Sequence, residues 1–273
     1  MDYIKHAIGT PARHSTKTVP PRIGAQRTDR LTEFLRELNS TEQHIRLSKT
    51  VRHFVGTFSI SDFALAFQNL LAIGVPVRRL IRLCYDYTSI FPSQAAELRV
   101  SLPSSHIVRT ILCEHEMFRC FLADLEAVED AIRPLEELSN ASSEFRKLSH
   151  VASHLALTEM HNEREDEIIF PQLEKHGPRN LVMALRIEHN YMSGASQMLN
   201  DLVLTFGITD LVEFKRRLTN TRKYMVPALT EHLFKEDNIL YPLALNAVTD
   251  KQVWERIKAL CDEIGYCCFE NAW

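Results

Sequence analysis

One pattern written twice constrains this chain more than anything else in it. Residues 160–174 read MHNEREDEIIFPQLE and residues 231–245 read EHLFKEDNILYPLAL. Superposed, they share His-x-x-x-Glu-Asp-x-x-x-(Phe/Tyr)-Pro and little else. On an α-helix a residue and its fourth successor share a face. Each copy therefore sets an imidazole one turn from a carboxylate, His161 with Glu165 and His232 with Glu236. One such pair is an ordinary solvated pair on a helix surface. Two pairs lying on apolar seams require partners in the protein interior.

The surrounding chain reads as helix throughout. Gly is scarce at 8 of 273 residues and Pro modest at 11, while Leu, Glu, Arg and Ala abound, a composition that favours helix over sheet. Residues 1–28, rich in Pro, Thr and basic side chains, read as a flexible tail without the apolar run of a secretory signal. Residues 29–97 read as a small module of four short helices. The first is capped near Thr28 and Asp29, with Leu31, Phe34, Leu35 and Leu38 on one face. The second covers 43–56, the third runs from Ser59 to a stop at Gly74, and the fourth covers 77–91.

Longer helices follow, over 104–131, 142–176, 179–206 and 209–246, with short connections. Residues 98–247 are thus expected to form an up-down-up-down four-helix bundle. Residues 248–273 supply a last helix, capped at Thr249 or Asp250, and a tail. The fold class is all-α.

The seams of the four long helices each carry a histidine. His115 follows Ile111 and precedes Phe118; His161 and Glu165 follow Val151, His154 and Thr158. His189 lies between Leu185 and Met192, and His232 and Glu236 lie between Leu229 and Ile239. Counted from the helix ends at 1.5 Å per residue, the four imidazoles fall within about 6 Å of one another in depth. Two carboxylates and four imidazoles in a bundle core would cost several kcal/mol in desolvation without partners. A metal centre supplies those partners, with His115, His161, Glu165, His189, His232 and Glu236 as its ligands. Imidazole with carboxylate suits iron, manganese or zinc, and no thiolate lies on a seam. Two octahedral ions offer about twelve positions, of which two bridging carboxylates, four imidazoles and an oxo or hydroxo bridge leave about two open. No residue is assigned a catalytic role. Asp166 and Asp237, turned about 100° off the ligand face, are expected either at the surface or holding an imidazole N–H, and not as direct ligands, and the aromatic nine residues after each His is expected to pack at the bundle end. His154 reads as a core or supporting group and His150 as surface.

A net charge of −3 argues against nucleic acid, and no apolar run is long enough to span a membrane. Cys84, Cys113, Cys120, Cys261, Cys267 and Cys268 form no C-x-x-C pair, which reads as reduced thiols and a cytoplasmic location.

The doubled motif, with single histidines on the other two long helices, resembles the hemerythrin-like HHE cation-binding domain. That resemblance covers about 104–247 and implies that the six residues hold two iron ions, ahead of manganese or zinc, bridged by carboxylates and an oxo or hydroxo group. It implies a protein that binds or senses O2, NO or iron, or an enzyme of iron–sulfur repair or of NO or peroxide reduction at the same centre. A helical scaffold holding zinc or no metal is the remaining alternative. The chain departs from the family in two places. Respiratory members carry a fifth histidine one turn after His189, where this chain has Ser193. NO-responsive relatives carry one near the end of the first long helix, where only Glu126, Glu129 and Glu136 stand. The stretch from Leu31 to Phe91, with LCYDY at 83–87, and the closing DEIGYC resemble the DUF438 group, which implies a small helical module placed before such a domain; a protein partner is expected to meet the chain through that module.

Overall fold

The computed structural model describes residues 23–40, 53–54, 57–76, 94–176, 179–208 and 210–266. Among them there is helix and no strand. The expected helices over 43–56 and 77–91 fall almost wholly outside the described residues. Helix α1 (Ile23–Ser40) begins earlier than the sequence suggests, so Thr28 is not a cap but lies within the helix, its carbonyl accepting from the Thr32 hydroxyl at 2.8 Å. Helix α2 (Ile60–Ala72) opens on a reciprocal cap: Ser59 donates to Asp62 and Asp62 N–H donates back to the Ser59 hydroxyl. It ends before Gly74, whose φ of 87° only glycine adopts without strain. Helix α3 (Gln94–Ser101) is an element the sequence reading did not separate.

The bundle follows. Helix α4 (Ile107–Ile132) is capped by the His106 ring, which accepts from the Val108 N–H. The second long helix is segmented into α5 (Ser143–Ala156), α6 (Thr158–Arg164), a π turn (Glu165–Ile169) and α7 (Phe170–His176). Helix α8 (Arg179–Leu204) is continuous and closes towards Gly207 at φ 90°. The fourth is α9 (Leu211–Lys235), a second π turn (Glu236–Leu240) and α10 (Tyr241–Ala247). Asp210 caps α9 through Glu213 N–H, and Asp250 caps α11 (Lys251–Ile264) through Gln252 N–H. Each long helix packs on the next and the fourth closes on the first, as the all-α up-down-up-down reading expects.

Each π turn stands just ahead of a proline, Pro171 or Pro242, whereas Pro227 is accommodated inside α9 without one. A proline in mid-helix lacks an N–H and clashes with the carbonyl four residues back. Immediately before Pro171 and Pro242, the Phe170 N–H reaches back to Glu165 O and the Tyr241 N–H to Glu236 O, each five residues away. The widened turn relieves the clash, and its phase change repositions everything after it.

Two apolar clusters fill the bundle. One holds Leu125, Leu148, Leu199 and Phe214; the other holds Ile111, Leu173, Leu185 and Leu240. The second cluster also takes in Leu31 and Leu35 of α1, Phe67 and Leu70 of α2, and Trp254 and Ile257 of α11. These flanking helices therefore close one end of the bundle. Between the two clusters, at one level of all four long helices, lies a buried polar layer. Among the described residues no helix is long and apolar enough to cross a membrane.

Candidate metal centre

All six residues singled out from the sequence meet in that layer. His115, His161, His189 and His232 are each at most 3% exposed, and Glu165 and Glu236 are fully buried. Their ligand-capable atoms form two groups, His115, His161, Glu165 and Glu236, and Glu165, His189, His232 and Glu236, with the atoms of each within 4.8 Å of one another. Both glutamates belong to both groups. The imidazoles pair by group, with Nε2 to Nε2 distances of 3.0 Å for His115 and His161 and 3.0 Å for His189 and His232. Glu236 lies 3.0 Å from His232 Nε2, 3.4 Å from His115 Nε2 and 3.6 Å from His189 Nε2. Glu165 lies 3.5 Å from His161 Nε2 and 3.3 Å from His189 Nε2.

A second ring of carboxylates aims the imidazoles. Glu114 of α4 faces His161 Nδ1 at 2.7 Å, and Glu188 of α8 faces His232 Nδ1 at 3.0 Å. Asp237 faces His115 Nδ1 at 2.6 Å, and Asp166 lies 3.0 Å from His189 Nδ1, off-axis for a hydrogen bond. The support runs around the bundle, each helix steadying the histidine of the next and the fourth steadying the first. A carboxylate at Nδ1 favours the Nδ1–H tautomer and turns the Nε2 lone pair inward. Two inward lone pairs 3.0 Å apart repel unless a cation or a shared proton sits between them.

Behind those four carboxylates stand four bases. Arg164, itself fully buried, donates to Glu114 and to the Gly265 carbonyl at 2.7 Å. Lys235 donates to Glu188 at 2.7 Å, Arg119 donates to Asp237, and Arg186 donates to the main-chain carbonyl of Asp166 at 2.8 Å and lies 3.9 Å from its carboxylate. The outer carboxylates are thus matched by cations, whereas none of the ion pairs found among the described residues brings Lys or Arg to Glu165 or Glu236. Glu165 Oε2 and both Glu236 oxygens are buried without a hydrogen-bond donor. Buried carboxylate oxygens with no donor, facing four imidazole nitrogens, are the donor set of a cation site.

The protonation equilibria follow from this geometry. Burial opposes charging of His115, His189 and His232, but the facing carboxylates outweigh it and raise all three above 6.5, His189 most strongly. Burial likewise opposes ionisation of Glu236, and His232, His189 and His115 overcome it, holding the group well below 4.5.

The π turns bring in the aromatics. In a regular helix, five residues beyond the glutamate would leave the aromatic about 140° off the glutamate face. Absorbing roughly one residue in the wide turn cuts that to about 40°. Phe170 consequently stacks on His189, with ring centroids 5.3 Å apart and planes 14° apart. Tyr241, fully buried, donates its hydroxyl to Glu165 Oε1. Both rings belong to the apolar cluster towards the closed end of the bundle, as expected, and each in addition touches the polar layer. Tyr241 makes an otherwise paired site unequal, because Glu236 has no such donor.

The other candidates separate cleanly. Of the two places open to Asp237 and Asp166, the surface or an imidazole, both stand at imidazoles. His154 stacks on Phe121 with centroids 4.5 Å apart and is outside the layer, and His150 is exposed. Glu129 is held by Arg133 at 2.6 Å and Thr219 at 2.7 Å, and Glu126 and Glu136 are exposed, so none of the three joins the centre. Ser193 brings no nitrogen. The sequence reading missed Glu114, Glu188, Arg164 and Lys235. Their signal was present: Glu-His occurs at 114–115 and again at 188–189, and both motif copies read His-x-x-(Arg/Lys)-Glu-Asp.

No curated protein matches the chain. A family model, the hemerythrin HHE cation binding domain, matches residues 106–244. That span contains both π turns, the six converging residues and the ring of carboxylates behind them, and the chain belongs to the hemerythrin HHE cation-binding family.

Proposed function

We propose that this is a non-haem di-iron protein whose centre binds or senses O2, NO or iron. His115 and His161 would hold one ion, His189 and His232 the other, and Glu165 and Glu236 would bridge both. The observation that carries this reading is the sharing of the two glutamates between two otherwise separate histidine pairs, the arrangement a carboxylate-bridged pair of ions requires. The imidazole and carboxylate set suits iron, manganese or zinc, and iron is put first from the resemblance to the hemerythrin-like family. When bound, the iron pair supplies ligand exchange and one-electron redox change.

The protein's own residues do the rest. Glu114, Glu188, Asp166 and Asp237 fix the imidazole tautomers. Arg119, Arg164, Arg186 and Lys235 neutralise those carboxylates, so a change of charge at the centre is felt by Glu165 and Glu236 first. Tyr241 holds Glu165 in place through its hydroxyl hydrogen bond. The cluster shared with α1, α2 and α11 gives any shift of the π turns a route to the N-terminal helices, which we take as a DUF438-like module that meets a protein partner in the cytoplasm.

A second reading, an enzyme of iron–sulfur repair or of NO or peroxide reduction, is favoured by one observation, the buried Tyr241 phenol on Glu165. Reconstituted with ferrous iron without air, the protein is expected to be colourless, to gain near-ultraviolet bands on exposure to air, and to lose them with dithionite. NO added to the ferrous form should give a distinct visible spectrum. Single-turnover reaction supports binding or sensing, and sustained reductant-coupled consumption supports the enzyme. A spectrum that responds to neither air nor NO sinks both.

A further inference from the structure

Helix α8 turns His189 into the bundle and leaves an apolar face outside it. Met183 is 53% exposed, Ile187 56%, Tyr191 65% and Met198 59%. Isolated exposed apolar side chains are normal on a protein surface. These recur at helical spacing, and with Gly194 they occupy an arc of about 80° along roughly 22 Å of helix. A continuous apolar stripe of this kind marks a contact surface.

The stripe is its own complement. Reversed end for end about a point between Asn190 and Tyr191, Met183 falls opposite Met198, Ile187 opposite Gly194, and Tyr191 opposite Asn190. Gly194 is a second, separate observation. It lies in mid-helix, where glycine weakens the helix, yet a Cβ built on it meets nothing within 4 Å. Nothing within this chain needs the missing side chain, but an isoleucine of a second helix approaching that point does.

The ends of the stripe carry charge of the matching sense. Arg179 and Asp201 are exposed on the same face, at the N-terminal and C-terminal ends of α8. A cation at a helix N-terminus and an anion at its C-terminus both oppose the helix dipole, and no ion pair was found for either among the described residues. The same end-for-end reversal sets each Arg179 beside the other copy's Asp201.

We propose that two copies of this chain pair antiparallel through the outer face of α8 about a two-fold axis near Tyr191. The contact is isologous, so it closes at two chains. It also backs the helix that carries Glu188 and His189 with a second copy of itself, and it stands independently of which metal the centre takes.

Light scattering on the full chain after size separation tests this. The wild type is expected at twice the 31.5 kDa chain mass. Ile187→Glu and Gly194→Leu should each give the single-chain mass with an unchanged helical circular dichroism spectrum. Gly194→Leu has open space to occupy within one chain, so it keeps the test valid if Ile187→Glu proves insoluble. Arg179→Asp should weaken association about tenfold, because two symmetry-related pairs are reversed at once. Adding Asp201→Arg should restore it. A wild type that stays at single-chain mass at the highest soluble concentration overturns the proposal, as does a dimer that survives Gly194→Leu or is indifferent to the charge swap.

Discussion

Glu236→Gln is expected to empty both halves of the centre, whereas His161→Ala or His115→Ala empties one. The difference follows from membership: Glu236 belongs to both ligand groups and each histidine to one. The amide keeps the size of the side chain and removes the charge that two cations share. Both Glu236 oxygens lie buried without a donor, so no other group takes over the role. Metal bound only to the folded state stabilises it by about 4 kcal/mol at a thousandfold excess over the dissociation constant. For a domain of this size that corresponds to about 8–16 °C in melting temperature. Differential scanning fluorimetry with and without ferrous iron should show that gain in the wild type. It should show none for Glu236→Gln and an unchanged gain for His154→Ala, which lies outside the layer. A Glu236→Gln protein with the full gain would falsify the shared-carboxylate assignment.

The largest environmental effect is a widening gap between metal-loaded and metal-free stability as pH rises. In the metal-free protein the raised His115, His189 and His232 contribute stability that is complete below their unfolded value near 6.5. That contribution is lost as pH rises through their higher folded values. Glu236, held well below 4.5, works in the opposite sense, and its contribution is lost only when acid reaches its depressed value. Metal-free protein should therefore melt higher near pH 6 than near pH 8.5, since protons there fill the gaps between the paired imidazoles. Metal displaces those protons, so its stabilisation grows with pH, and the loaded protein should melt higher near pH 8.5 than the metal-free form by a wider margin than near pH 6. A metal-induced gain independent of pH would mean that the imidazoles are not where the metal binds.

The sequence made the architecture and the inner layer readable for one reason. Seam positions repeat every three or four residues, and a histidine or glutamate on such a seam stands out from its apolar neighbours. Counting from helix ends then placed His115, His161, His189 and His232 at one depth. What escaped was everything that depends on phase or on a neighbouring helix. Glu114 and Glu188 sit one position off the seam and look solvated until the next helix brings His161 and His232 against them. Phe170 and Tyr241 look remote from the glutamates on a regular helix, and the π turns that swing them inward, next to Pro171 and Pro242, are not announced by proline alone, since Pro227 lies inside α9 without one. Thr28 reads as a cap by residue type, yet α1 begins at Ile23. The shared apolar cluster of α1, α2, the bundle end and α11 is long-range packing, which no local periodicity reports.

The most direct test of the central claim is metal content by mass spectrometry on protein purified from iron-replete cells without added metal. About two irons per chain are expected, from two ligand groups that share both glutamates. Zinc or no metal, with no uptake on anaerobic ferrous reconstitution, would contradict the di-iron account and leave a helical scaffold whose buried carboxylates have some other partner.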